Sequence, residues 1–156
     1  MASIKGISLK NVKTFRGHEY PTNYQGNVYF NGKKMGFWSQ DSWGGPDSYD
    51  FDTAELDAKA KEFYGEDSIY GLDCLMGELL ELMDNEKMFK KAVKEGYSAL
   101  VVISNGYNVA FIKEPRETNK EVLLKSCASD LEDFKGSFGG EDVRMMAFTC
   151  LQDFEQ

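Results

Sequence analysis

Apolar and polar residues alternate on both sides of Asn31-Gly32: Val28 and Phe30 precede the pair, Met35 and Phe37 follow it. Asn-Gly accepts the positive φ angles of a two-residue type I′ turn, so the pattern predicts a β-hairpin. In the register such a turn sets, Phe30 faces Lys33, Val28 faces Met35 and Gly26 faces Phe37, while Tyr29 meets Lys34 and Gln25 meets Trp38. Val28, Phe30, Met35 and Phe37 then form the core side, with Trp38 on the other. Ahead of the hairpin, Ile7 and Leu9 share one parity and Val12 the other, which predicts a strand over 6–15 with a bulge near Lys10-Asn11. Residues 16–23 carry Gly, Pro and Asn without an apolar period and are expected to be a loop. Beyond the hairpin, Tyr49 and Phe51 alternate with Ser48, Asp50 and Asp52, as in a half-buried strand.

The period then changes to that of helices. Asp52 and Glu55 stand at capping-box spacing, with Thr53 a competing cap, ahead of Leu56, Ala60 and Phe63, and Gly65 closes the run. Leu72, Leu75, Met76, Leu79 and Met83 mark a core helix. Asn85 is placed to cap a further helix with Met88, Phe89, Ala92 and Val93 inward, ending at Gly96. Residues 98–113 repeat the hairpin pattern around Asn105-Gly106, here with both faces apolar: Leu100, Val102, Val109 and Phe111 against Val101, Ile103, Ala110 and Ile112. Such a hairpin belongs in the middle of a sheet or under cover on both sides. Pro115 ends it, and Thr118 with Glu121 predicts the cap of a last long helix through Val122, Leu123, Cys127, Leu131 and Phe134 to Gly136. Residues 137–140 are expected to be a loop, 143–151 a closing strand and 152–156 a polar tail. The order β-β-β-β-α-α-α-β-β-α-β argues an α+β fold: a mostly antiparallel sheet built from the two Asn-Gly hairpins and flanking strands, with helices packed on one face. No long linker interrupts it, so a single globular domain over 1–156 is expected.

Charge and cysteine usage narrow the function classes. The formal net charge of −8 opposes direct nucleic-acid binding, which needs clustered Lys and Arg, and suits a basic protein surface as partner. No apolar run approaches a membrane span, and Met-Ala-Ser-Ile-Lys-Gly lacks the basic-then-apolar pattern of a signal peptide, so a cytoplasmic location away from membranes is expected. Cys74, Cys127 and Cys150 are far apart; Cys74 and Cys127 fall on apolar helical stripes and Cys150 in a β-prone run, which predicts small core residues in a reducing compartment. His18 is the single histidine and has no motif partner, so a surface or supporting role is expected. P-loop, Rossmann, zincin and nucleophile-elbow patterns are missing, and no catalytic residue, metal ligand or cofactor is assigned. Asp47, Asp50 and Asp52 lack an EF-hand register and are read as solvated carboxylates.

The candidate contact surface is the loop after the first hairpin, with Trp38, Asp41, Trp43, Gly44, Gly45 and Asp47. Exposed aromatics and glycines on a rigid sheet commonly carry binding, yet tryptophans also plug the edges of small cores; both readings stand at the level of sequence. The segments LKNVKTFRG, NGKK at a turn, a Gly-Gly loop and later KKAVKEGYSALVV together resemble a family of short uncharacterised proteins of bacteria, phages and mobile elements. That resemblance implies an accessory gene product and brings no activity with it. The expectation is a non-catalytic acidic binding protein, an inhibitor of a host nucleic-acid-handling or defence protein. The alternatives are a protein that sequesters a nucleotide signal through Trp38, Trp43 and the glycine amides, and an enzyme of unfamiliar type.

Overall fold

A computed structural model describes residues 1–156 and shows an α+β fold with two antiparallel sheets. The chain divides into two compact units, Met1–Met83 with Glu155–Gln156, and Asp84–Phe154.

In the first unit, strands β1 (Ile7–Phe15), β2 (Asn23–Phe30), β3 (Lys33–Ser39) and β4 (Ser48–Tyr49) pair in sequence order. The expected bulge in β1 is present: the register jumps between Lys10 and Lys13, and Asn11 takes a φ of 54°. A second bulge, not expected from the pattern, corrects the hairpin register. Phe30 meets Lys33 and Tyr29 meets Lys34, but Val28 then pairs with Gly36, Asn27 with Phe37 and Gly26 with Trp38, leaving Met35 as the extra residue. The cause lies in β4 and the residues after it. A Cβ on residue 36 would stand 2.2 Å from Asp50 Oδ1 and 2.6 Å from the Phe51 ring, so only glycine lets Asp50 lean across β3. There its carboxylate accepts the Phe37 N–H at 2.6 Å. One added residue reverses the two faces downstream. Trp38 is fully enclosed, whereas Phe37, expected in the core, is 40% exposed.

Helix α1 (Ala54–Tyr64) begins at Thr53, whose hydroxyl makes no capping bond. Asp52 Oδ1 accepts the Ala54 N–H instead, at 3.0 Å. Gly65 ends the helix as expected, with a φ of 100° and its N–H on the Lys61 carbonyl. The two helices expected between 70 and 96 are one, α2 (Leu72–Lys94), which runs through both units. Asn85 is an interior residue, 1% exposed, and not a cap. No Gly or Pro interrupts the chain there, and Leu75, Met76, Leu79, Leu82, Phe89 and Ala92 keep one buried stripe going. Val93 leaves that stripe and is exposed. The helix stops where Gly96 adopts a φ of 95°, with Tyr97 N–H on the Ala92 carbonyl.

In the second unit the sheet order is β6 (Val109–Glu114), β5 (Ala99–Ser104), β7 (Arg144–Phe148). Central β5 is buried at all six positions, as a strand apolar on both faces requires. Its hairpin partner β6 lies at the sheet edge with Val109 exposed, so the hairpin is not covered throughout, contrary to expectation. The β5–β6 connection is a four-residue loop and not a two-residue turn, since Ser104 pairs with Val109. Asn105 Oδ1 accepts the N–H groups of Tyr107 and Asn108 at 3.0 and 2.7 Å, an Asx turn that replaces the type I′ geometry. The expected last helix is broken at Cys127 into α3 (Lys120–Ser126) and α4 (Ala128–Phe138). Its cap is Asn119, whose Oδ1 accepts from Glu121 N and Val122 N, and not Thr118. The helical run passes Gly136 and takes in Ser137 and Phe138, both expected in a loop. Leu123 and Cys127 pack with Ala99 and Val101 on one face of β5.

The closing strand is shorter than expected, and the expected polar tail is structured. Leu151–Phe154 forms a 3-10 helix whose Phe154 is fully buried, stacked on Phe148 at 4.4 Å and touching Phe89. Glu155 pairs with Ser3 in the first unit. No helix is long and apolar enough to cross a membrane.

Candidate functional site

The β3–β4 connection, residues 40–47, is held at both ends. At its start Gln40 continues the ladder beyond β3, giving its N–H to the Tyr24 carbonyl and accepting the Tyr24 N–H on Oε1 at 2.9 Å. At its end the enclosed Trp38 donates its indole N–H to Asp47 Oδ2 at 2.7 Å. Asp47 in turn donates its backbone N–H to Asp73 Oδ2 at 3.0 Å, and the Tyr49 hydroxyl donates to Asp73 Oδ1 at 2.8 Å. Asp73 lies in the first turn of α2, where a carboxylate is favoured by the helix dipole. The electrostatics are tense. Burial pushes the Asp47 carboxyl up to about 6, against the Trp38 hydrogen bond and with help from the nearby Asp73 and Asp41 charges. Burial and the bond to Asp73 also push the Tyr49 phenol well above its ordinary range.

The tip of the loop is folded on its own side chain. Asp41 accepts the Gly44 N–H on its carbonyl and the Gly45 N–H on Oδ2 at 2.8 Å. Gly44 has a φ of 77°, and a Cβ on residue 45 would lie 2.6 Å from that same Oδ2, so both glycines are needed for the turn. The Ser42 carbonyl accepts from His18 N and Glu19 N at 2.7 and 3.1 Å, binding this loop to residues 16–22. The consequence is a ring stack in the open. Trp43 lies flat on His18, centroids 3.9 Å apart and planes 9° apart, while remaining 66% exposed. Tyr20, also exposed, and Glu19 flank Gly44.

The six residues singled out from sequence therefore separate into two levels. Trp43, Gly44, Gly45 and Asp41 form the exposed tip; Trp38 lies wholly beneath the surface, with Asp47 as its polar partner. Trp38 is a core plug, and Trp43 is a solvent-exposed ring. Sequence reasoning did not find His18, Glu19 and Tyr20 as neighbours of Trp43, nor Asp73 as the anchor of Asp47 and Tyr49. The only local signal for Asp73 was an acidic residue at a helix start; nothing marked the loop it would hold.

The cysteines are distributed differently from the expectation. Cys127 is buried, and that burial pushes its thiol pKa up, but Cys74 and Cys150 are exposed and off the apolar stripes. His18 is engaged with Trp43 rather than with a nucleophile. No group of three or more His, Cys, Asp or Glu side chains is placed to hold a metal ion. A separate shallow depression, lined by Asn11, Val12, Lys13, Gln25, Asn27 and Phe37, opens on the face of the first sheet opposite Trp38. No protein-family model, curated protein or solved structure matches the chain.

Proposed function

We propose that this chain is a non-catalytic acidic binding protein, a phage or mobile-element accessory inhibitor of a host nucleic-acid-handling or defence protein. It engages a basic protein surface through the Trp43 loop and binds no nucleic acid directly. The observation that carries this reading is the Trp43–His18 stack: a large aromatic, 66% exposed, held in a fixed pose by a loop whose amides are bonded to Asp41. An aromatic left this exposed buries little apolar surface for the fold, but it is the kind of preorganised anchor that dominates protein interfaces. The −8 charge adds steering toward a basic surface, which weakens as salt rises.

The test is capture of a specific host protein by the tagged chain at low salt, with loss of capture at high salt and in Trp43→Ala. Failure to retain any specific protein at low salt overturns the reading. Two observations weigh against nucleotide sequestration. Trp38 is enclosed and offers no face for a base, and the Gly44 and Gly45 amides point to Asp41 rather than outward to a phosphate.

A further inference from the structure

We infer that the open face of Trp43 is the seat of an arginine guanidinium from the partner, with the Glu19 and Asp41 carboxylates beside it as counter-charges. The inference rests on the binding role proposed above and specifies its chemistry.

His18 covers one face of the indole at 3.9 Å, and the 66% exposure of Trp43 leaves the other face to solvent. An indole face carries negative potential and attracts cations more strongly than any other side chain's ring. The charges of the loops around it are mainly negative. Residues 16–22 and 40–47, the two loops that build the shelf, hold one cation, Arg16, against three carboxylates, Glu19, Asp41 and Asp47. Glu19 stands at the flank of Gly44, and Asp41 directs one oxygen to Gly45 N, which leaves its charge at the loop tip. Gly44 and Gly45 add no side chains of their own next to Trp43, and the neighbours of Gly44 are the Glu19 side chain and the exposed Tyr20 ring. Guanidinium fits this combination better than ammonium: it is planar, stacks on an aromatic face, is less strongly hydrated and pairs bidentately with carboxylates. The bound arrangement is a three-layer stack of imidazole, indole and guanidinium.

The experiment titrates the full chain with tetra-arginine and tetralysine peptides, read by calorimetry and by tryptophan emission. Tetra-arginine is expected to bind about fivefold or more tighter than tetralysine, and Trp43→Ala to weaken it about tenfold with an unchanged melting temperature. Glu19→Gln, which leaves the ring stack intact, and Asp41→Asn, which keeps an acceptor for Gly45 N, are each expected to weaken tetra-arginine severalfold. Equal affinity for the two peptides, or binding indifferent to Trp43→Ala, overturns the inference and leaves only diffuse attraction to an acidic chain. The two proposals fail separately: a host protein captured through Trp43 while tetra-arginine shows no preference removes the guanidinium seat and keeps the binding role.

Discussion

Trp38 and Asp47 are joined by an indole N–H donated to a carboxylate oxygen at 2.7 Å, and this bond ties the hidden tryptophan to the loop that presents the visible one. The two tryptophans should respond in opposite ways to truncation. Trp38→Ala empties a fully enclosed site and is expected to cost about 3–5 kcal/mol. Trp38→Phe keeps much of the volume but strands the Asp47 carboxylate, at about 1–3 kcal/mol. Trp43→Ala should leave stability within about 0.5 kcal/mol while weakening partner binding roughly thirtyfold. Melting curves and affinities of the three variants decide it; a large stability loss at Trp43 would make that ring structural.

Asp47 makes the fold sensitive to mild acid, in the direction opposite to acid denaturation. Its folded pKa, about 6, lies above the ordinary carboxylate value near 4, so the folded state holds the proton more tightly than the unfolded one. Its contribution is fully present below about pH 4 and lost as pH rises through about 6, by about 1–2 kcal/mol once solvent screening of a half-buried group is allowed for. Asp153 has the opposite sign. Burial raises its pKa, but the Lys120 ammonium and the Thr149 and Cys150 N–H groups outweigh that and bring it down to about 2, so its contribution is present above about pH 4 and lost as pH falls through 2. Denaturant titrations between pH 3 and 8 should show the Asp47 slope disappear in Asp47→Asn and persist in Asp153→Asn.

Gly36 should be intolerant of the smallest side chain. In Gly36→Ala the new methyl meets the Asp50 carboxylate and the Phe51 ring, which must withdraw and release the Phe37 N–H. Overpacking of this kind costs about 1–3 kcal/mol. Gly32→Ala places its methyl in open space and reports the backbone cost of a positive φ alone, 80° at that residue. Equal melting temperatures for the two variants would refute the steric account of the bulge.

Thiol chemistry gives an independent check on the burial pattern. Cys74 and Cys150 are exposed and should be modified by a soluble disulfide reagent in the native protein, whereas Cys127 should react only after unfolding. Three rapidly reacting thiols would contradict the packing of Cys127 against Ala99 and Val101.

Local rules read the chain well where the outcome depends on local sequence. The bulge at Asn11, the helix ends at Gly65 and Gly96 and the two-faced apolar pattern of β5 were all visible in periodicity and glycine placement. The errors arose where a distant residue decided. Met35 became a bulge because Asp50 and Phe51 meet Gly36, which no window around the hairpin contains. Asn85 looked like a cap because Asn often is one, but tertiary burial kept α2 continuous through it. In the loop, residue types suggested an aromatic contact; the single inserted residue turned Trp38 inward, while the loop's own bonds left Trp43 exposed.

Asp73 lies 26 positions after the Asp47 amide it accepts, and 24 after the Tyr49 hydroxyl. The hairpin can zip from its turn with contacts that are close in sequence, yet the loop beyond it acquires its shape only when the start of α2 arrives. The order of assembly expected from these separations is hairpin, then helix, then loop, and φ-values in the three elements would check it. In the native state the hierarchy is expected to reverse: exchange of the Asp47 amide with solvent should require departure of the helix start, so the exposed loop takes its lifetime from the helix that anchors it.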